Sequence, residues 1–303
     1  EPLGTVAITV QSGRVLQATN ANRLAYPASL AKLMTALLVF ERLEQQGLQL
    51  GARLPVSARA ASQPATKVYL REGQNVKVET LLSALLVVSA NDAAMALAEA
   101  LHGTEERFVA AMNRRAKQLG MRRTRFVNAS GLPGPGQRTT ASDMAILART
   151  LWQRFPHRAG LYTRPALQLG KRRYANVNAF LTSFAGADGM KTGYTCAAGF
   201  NLVASAHRDR HRIIVVVLGA ATRDTRLSRA KQVMLQAIEA LAKGTPDAHA
   251  LTLNDLVAAA GPDTRILLPS GSVAADCHPG HAQARGWSVD LGASAERNAA
   301  RRR

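Results

Sequence analysis

The chain has 303 residues, and 39 Lys and Arg against 20 Asp and Glu give it a formal net charge of +19. Hydrophobic residues make up 47% of the chain, which excludes wholesale disorder, and no apolar run approaches the roughly 18 residues of a membrane span. The basic charge first suggests a polyanionic partner such as nucleic acid or an acidic lipid surface, although only 5% of the residues are aromatic and able to stack on bases.

In chain order, the pattern predicts strands near both ends of the sequence and helices between them. Residues 6–10 and 14–17 flank Ser12-Gly13 and predict one β-hairpin, and residues 199–206 and 212–219 predict a second. Helical spacing predicts helices at residues 30–47, from 79 to a break at 89–91, and at 105–119, 141–153 and 225–242. The simplest topology is a mixed sheet assembled from both termini, with a helical insertion.

Ser29-Leu30-Ala31-Lys32 opens the first long predicted helix. The spacing of three residues places the Ser29 hydroxyl and the Lys32 amine one turn apart on one helix face. A serine at a helix N-terminus lies in a positive field, and a lysine with a lowered pKa beside it can act as a base for acyl transfer. The alternative is a capping serine followed by a surface lysine.

Two further short motifs carry polar groups at unusual places. Ser89-Ala90-Asn91 interrupts an apolar helical run, and its alternative role is an N-cap for the next helix. Lys191-Thr192-Gly193 lies at the start of a predicted strand, where a cation, a hydroxyl and a glycine suit the binding of a carboxylate. The alternative for this motif is a hairpin turn.

The three motifs together, in this order and at these spacings, resemble the low-molecular-mass D-alanyl-D-alanine carboxypeptidases of the serine penicillin-binding proteins, peptidase family S11. The resemblance covers roughly residues 3 to 242 and is carried by residues 26–35, 89–93, 128–132 and 188–195. It implies the α/β fold, of α+β type, of penicillin-binding proteins and β-lactamases, with an antiparallel sheet flanked by helices and a helical subdomain. Residues 1–243 are then the catalytic domain.

The resemblance also implies a role for each matching residue. Ser29 is the nucleophile that attacks the bond between the two terminal D-alanines of a peptidoglycan stem pentapeptide, and Lys32 is its general base. Ser89 relays a proton to the leaving D-alanine. The substrate-binding residues are Asn91, which holds the peptide amide, Lys191 and Thr192, which hold the terminal carboxylate, and Gly193, Tyr194 and Arg226. The backbone N–H groups of Ser29 and Tyr194 form the oxyanion hole, Lys191 lowers the pKa of Lys32 by its charge, and Arg223 is the rival to Arg226.

Other activities remain open from the sequence. β-Lactams are expected to acylate Ser29, and a D,D-endopeptidase uses the same residues. A class A β-lactamase needs a glutamate for deacylation, and residues 128–140 contain none. A non-catalytic peptidoglycan-binding protein would explain the positive charge but leave the catalytic set unexplained.

No cofactor or metal is predicted. Cys277-His278-Pro279-Gly280-His281 has metal-ligating residue types but no identified fourth ligand, so a tail segment is favoured. Cys196 is predicted to be an inert free thiol, and a Cys196–Cys277 disulfide is the disfavoured alternative.

Beyond the catalytic domain, residues 244–284 are predicted to be a linker. Residues 285–303 resemble the start of a truncated SPOR domain, a small peptidoglycan-binding module. The chain begins at Glu1, and the resemblance implies export to the periplasm or cell envelope through a removed signal peptide. The basic surface is then expected to favour the anionic envelope, and no specific nucleic acid is predicted as a partner.

Overall fold

The computed structural model describes residues 3–243, 251–262 and 264–268. The predicted linker is therefore covered only in part, and the SPOR-like segment 285–303 and the motif at 277–281 lie outside the described residues.

The centre of the fold is a five-stranded sheet with strand order β2-β1-β9-β8-β7. Its strands are β1 (Gly4–Thr9), β2 (Val15–Thr19), β7 (Ala187–Thr195), β8 (Gly199–Arg208) and β9 (His211–Ala220). All neighbouring pairs are antiparallel. The mixed sheet that the pattern alone predicted is therefore wrong, and the antiparallel sheet that the resemblance implied is confirmed. Both predicted hairpins are confirmed, and β1 pairs with β9 to join the two ends of the catalytic region.

Ten α-helices lie around this sheet among the described residues. They are α1 (Lys32–Glu44), α2 (Ala58–Ala61), α3 (Val78–Ser83), α4 (Asn91–His102), α5 (Glu105–Gln118), α6 (Ala141–Arg154), α7 (Gly160–Thr163), α8 (Phe180–Ser183), α9 (Arg223–Ala242) and α10 (Leu253–Ala258). The predicted long helices are confirmed to within a few residues. Two small two-stranded sheets went unpredicted: β3 (Arg53–Pro55) with β4 (Asn75–Lys77), and β5 (Ala166–Leu169) with β6 (Arg172–Ala175).

Strand β9 shows why the sheet is buried on both faces. Ile214, Val216 and Leu218 point into the larger core, which includes α1, α4 and α6. The alternate residues, among them Val215 and Val217, pack against α9 on the other face. A fully buried Val or Ile stabilises the fold by about 1.5–3 kcal/mol, so a strand that is apolar at every position suits this place in the sheet.

Part of the segment predicted as linker is folded onto the body. The N–H of Leu253 donates to the Gly13 carbonyl at 2.8 Å, and the N–H of Leu267 donates to the Leu24 carbonyl at 2.6 Å. Leu267 is also buried in the larger core. Within the described ranges, no helix combines the length and the apolarity that crossing a membrane requires.

Candidate active site

Ser29 lies in a turn of 3-10 helix, Ala28–Ala31, which leads directly into α1. Lys32 is the first residue of α1 and is fully buried, and its Nζ lies 3.0 Å from the Ser29 Oγ. The alternative of a capping serine and a surface lysine is therefore wrong for this pair. Ala28, immediately before Ser29, has a left-handed φ of 48°, a conformation that costs energy and concentrates at functional sites.

Two further oxygens hold the Lys32 amine. Its Nζ donates to the Asn91 Oδ1 at 2.7 Å and to the backbone carbonyl of Ser130 at 2.6 Å. Ser130 belongs to a stretch that carried the resemblance, but no role for it was predicted, because a contact made through a carbonyl depends on backbone position and leaves no mark on residue type.

Burial lowers the pKa of Lys32 from its ordinary value of 10.5 to about 7, and the negative charge of Asp92 partly opposes this effect. The main cause is thus loss of solvent, rather than the charge of Lys191 to which the sequence prediction assigned it. With a pKa near neutrality, a large fraction of Lys32 is uncharged at neutral pH and able to accept a proton.

Ser89 and Asn91 lie on either side of the junction between a turn of π-helix (Ala84–Val88) and α4. Ser89 adopts a left-handed φ of 67°, and its hydroxyl forms no hydrogen bond with any of the described residues. The N-cap of α4 is Ala90, without a side-chain capping bond, so the capping alternative is wrong. The Asn91 Nδ2 donates to the Pro64 carbonyl at 2.9 Å, which fixes the amide with its oxygen towards Lys32.

Lys191, Thr192, Gly193 and Tyr194 all lie within β7, so the hairpin-turn alternative is wrong as well. A Cβ added at Gly193 would lie 3.1 Å from the Pro27 carbonyl oxygen and 3.2 Å from the Ser29 backbone nitrogen. Glycine therefore allows β7 to lie directly against the Ser29 turn, which is the adjacency that an oxyanion hole from the N–H groups of Ser29 and Tyr194 requires.

Three cationic side chains meet at this end of the cleft. Burial is the largest cause that holds the pKa of Lys191 well below its ordinary value, and the charges of Lys32 and Arg226 lower it further. Burial also lowers the pKa of Arg226 to about 10. Buried like charges are costly unless an anion joins them, so this cluster is suited to a carboxylate.

Arg226, rather than its rival Arg223, faces the site. It is 8% exposed, its guanidinium lies 3.5 Å from the Asn201 carbonyl, and its buried Nε has no hydrogen-bond partner among the described residues. Arg223 lies at the start of the same helix and is exposed.

Asn201, on β8, was not predicted. Its Nδ2 donates to the Tyr26 carbonyl at 2.9 Å and its Oδ1 accepts from the Gly219 N–H at 2.9 Å, so it ties the segment before Ser29 to two strands. A buried Asn in a strand, where Asn is disfavoured, was the available signal.

Cys196, one residue beyond β7, is disulfide-bonded, so the prediction of an inert free thiol is wrong. The other cysteine of the sequence, Cys277, lies outside the described residues. Among the residues that the structure describes, no group of three or more His, Cys, Asp or Glu side chains could hold a metal ion.

The antiparallel sheet flanked by helices and this serine–lysine site define the penicillin-binding-protein class of fold, and solved structures agree. The carboxypeptidase DacD from Francisella tularensis matches with a TM-score of 0.75 and 32% identity over 78% of this chain and 70% of that one. Penicillin-binding protein D2 from Listeria monocytogenes, solved in a cefotaxime-bound form, matches with a TM-score of 0.72 and 33% identity over 78% of this chain and 96% of that one.

A family model described as D-alanyl-D-alanine carboxypeptidase, peptidase family S11, matches residues 4–222, and the chain belongs to this family. The D-alanyl-D-alanine carboxypeptidase DacC of Escherichia coli is 38% identical over 230 residues, and DacF of Bacillus subtilis is 36% identical over 226. These alignments cover 74% and 73% of this chain but only 58% of each relative, so the chain spans less than two thirds of their length.

Proposed function

We propose that this protein is a serine D-alanyl-D-alanine carboxypeptidase that removes the terminal D-alanine from peptidoglycan stem pentapeptides. The observation that carries the proposal is the fully buried Lys32, whose amine lies 3.0 Å from the Ser29 hydroxyl and whose pKa is lowered to about 7. The family to which the chain belongs, and the relatives that bear this activity in their names, support it.

The proposed reaction begins with proton transfer from the Ser29 hydroxyl to the neutral Lys32 amine. The Ser29 Oγ then attacks the carbonyl carbon of the bond between the two D-alanines, and the negative charge that develops on its oxygen is stabilised by the N–H groups of Ser29 and Tyr194. The left-handed Ser89 presents its hydroxyl to the leaving amine, gives it a proton and takes one in turn from the protonated Lys32, which returns to its neutral form. Release of D-alanine leaves an ester on Ser29, which water hydrolyses.

Substrate recognition is proposed to involve groups on both sides of the scissile bond. The carboxylate of the terminal D-alanine binds the cationic cluster of Lys191 and Arg226, with the Thr192 hydroxyl as a further donor. The amide of Asn91 is already fixed by Lys32 and Pro64, and it holds the peptide group that precedes the scissile bond. Gly193 keeps this part of β7 close to the nucleophile.

β-Lactams are proposed to acylate the same serine. Relatives solved with cefotaxime and ampicillin bound support this for the fold. The proposed place of action is the periplasm or cell envelope after export by a signal peptide. A disulfide-bonded Cys196 is typical of an oxidising compartment, and the charge of +19 suits an anionic envelope surface.

The experiment is acylation by a labelled penicillin, with the adduct located by mass spectrometry and a Ser29→Ala variant as control. The expected result is one adduct, on Ser29, that the variant lacks. No adduct, or an adduct elsewhere, would contradict the proposal. D-alanine release from a pentapeptide, compared with cleavage of a cross-linked dimer, then separates carboxypeptidase from D,D-endopeptidase activity, and rapid release of the penicilloyl product would indicate a β-lactamase.

A further inference from the structure

An exposed tyrosine lies between two cations on the loop that supports Asn91. Tyr69 is 55% exposed, and the Lys67 Nζ and the Arg172 Cζ each lie 5.6 Å from the centroid of its ring. Lys67 and Tyr69 belong to the loop between α2 and β4, and Arg172 begins β6. We call these three residues the basic-aromatic patch.

Hydrogen bonds to buried groups fix the loop that carries Lys67 and Tyr69. The buried Asp92 carboxylate accepts hydrogen bonds from the N–H groups of Val68 at 3.1 Å and Leu70 at 3.0 Å, on both sides of Tyr69. The Tyr174 hydroxyl, on the same strand as Arg172, donates to the Val68 carbonyl at 3.1 Å. Val68 and Leu70 are buried, so Tyr69 is the residue turned outwards.

Tyr69 also adopts a left-handed φ of 61°. This conformation is unfavourable for a bulky side chain and persists only where the surroundings impose it. The fixed backbone therefore holds the ring in a place that burial does not explain, since the ring is largely in solvent.

The patch adjoins the catalytic cleft through the backbone. The Thr66 carbonyl, one residue before Lys67, accepts the Asn91 N–H at 2.7 Å. On the other side, the Val177 N–H, two residues after β6, donates to the Val87 carbonyl, which lies two residues before Ser89. The patch thus lies on the rim formed by the two segments that support Ser89 and Asn91.

Within the part of the chain that the structure describes, no carboxylate forms an ion pair with Lys67 or Arg172, and the Tyr69 hydroxyl forms no hydrogen bond. The Lys67 Nζ donates only to a neutral group among the described residues, the Ala61 carbonyl, at 3.3 Å. Glu72, three residues after Tyr69, pairs with neither cation. The loop and the start of β6 therefore bring two cations and one hydroxyl donor together, where an anion can bind them.

We infer that the basic-aromatic patch is a substrate subsite that binds a carboxylate of the stem peptide upstream of the terminal D-Ala-D-Ala pair. This inference rests on the proposed function. The terminal carboxylate is assigned to Lys191 and Arg226 and the next peptide group to Asn91, so we place the upstream part of the peptide on the Asn91 side of the cleft, next to the patch. The carboxylate there lies against Arg172 and Lys67, and the aliphatic part of the peptide lies against the Tyr69 ring.

The test compares two synthetic pentapeptides that end in D-Ala-D-Ala and differ only in charge. In one, the second and third residues carry free carboxylates, and in the other these carboxylates are amides. KM and kcat are measured by D-alanine release for the wild-type protein and for Arg172→Ala. The matched control is Arg173→Ala, which removes the same charge from the adjacent exposed residue, on the opposite face of the strand from Arg172 and Tyr174.

For Arg172→Ala we expect KM for the acidic peptide to rise about three- to tenfold, with kcat nearly unchanged. KM for the amidated peptide and the rate of acylation by penicillin remain at wild-type values. Arg173→Ala leaves KM unchanged for both peptides. Lys67→Ala in addition to Arg172→Ala raises KM for the acidic peptide further, and added salt reduces the wild-type preference between the two peptides.

If Arg172→Ala changed KM equally for both peptides, or for neither, the subsite would be wrong. The proposed function would still stand, because the wild-type protein would still release D-alanine. A wild-type protein that releases no D-alanine and is not acylated by penicillin would overturn the proposed function and the subsite with it. Arg172 is exposed, and a thermal unfolding curve that matches the wild type shows that its removal leaves the fold intact.

Discussion

The Lys32 amine and the Asn91 side-chain oxygen lie 2.7 Å apart, although 59 positions separate them in the sequence. This contact joins the start of α1 to the start of α4, and it holds the base of the proposed reaction in one orientation. Lys32 loses its solvent shell in the process, and three protein oxygens replace it.

The first prediction concerns pH. Because only the neutral amine of Lys32 can accept the Ser29 proton, the second-order rate constant of acylation is expected to rise with pH through about 7 and to level off above it. The measurement is acylation by a chromogenic β-lactam at constant ionic strength. A profile that is flat across this range would show that Lys32 is not the titrating base.

The second prediction concerns Asp92, whose negative charge raises the pKa of Lys32 and so opposes the effect of burial. In Asp92→Asn this attraction is lost, so the pKa of Lys32 falls and the acid limb of the acylation profile moves to lower pH. The variant also loses hydrogen-bond acceptors for the loop at 68–70, and its free energy of unfolding is expected to fall by about 1–3 kcal/mol.

A control separates these two effects of Asp92→Asn. Asp143 is likewise buried and accepts hydrogen bonds from the Arg123 N–H and the Thr124 hydroxyl. It is not among the groups that shift the pKa of Lys32. Asp143→Asn is expected to alter stability and leave the acylation profile in place. If both variants moved the limb equally, the change would reflect general loosening of the fold rather than the charge of Asp92.

The third prediction distinguishes the two arginines of α9. Arg226→Ala removes a buried cation beside Lys191, so KM for a D-Ala-D-Ala peptide is expected to rise about 10- to 100-fold, the equivalent of a charged hydrogen bond. Arg223→Ala, at an exposed position three residues earlier, should change KM less than about twofold. Steady-state D-alanine release provides the measurement, and equal losses in the two variants would contradict the assignment.

The fourth prediction concerns Gly131. Its φ is +85°, and a Cβ there would lie 1.8 Å from the Ala28 carbonyl oxygen, so an added methyl group displaces the backbone beside Ser29. Gly131→Ala is expected to lower the free energy of unfolding by more than about 2 kcal/mol and to slow acylation.

The matched control for Gly131 is Gly120, which has a φ of +81° and no atom within 4 Å of the added Cβ. Gly120→Ala is expected to cost only about 1 kcal/mol of stability, from backbone strain, with the acylation rate unchanged. Chemical denaturation and stopped-flow acylation measure the two quantities. Wild-type acylation in Gly131→Ala would show that the Ser29 turn tolerates the displacement.

Much of the fold was predictable because its signals are local. The apolar strand β9 and the amphipathic helices α1, α5 and α6 follow from residue periodicity, and the sequence placed all of them to within a few residues. The two-stranded sheets β3–β4 and β5–β6 were missed, since strands of three or four residues are stabilised by what they pack against and not by their own pattern.

The sequence by itself determined the residue types of the site and their order, Ser29 and Lys32, then Ser89 and Asn91, then Lys191 to Tyr194. Acyl transfer of this kind requires particular functional groups, and the residue types specify them directly. Only the tertiary structure decided which groups meet: that the Ser130 carbonyl holds Lys32, that burial sets the pKa of Lys32, that Arg226 rather than Arg223 faces Lys191, and that Cys196 is disulfide-bonded. The physical reason is that solvent exclusion and backbone contacts arise between segments far apart in the sequence, and no local pattern encodes them.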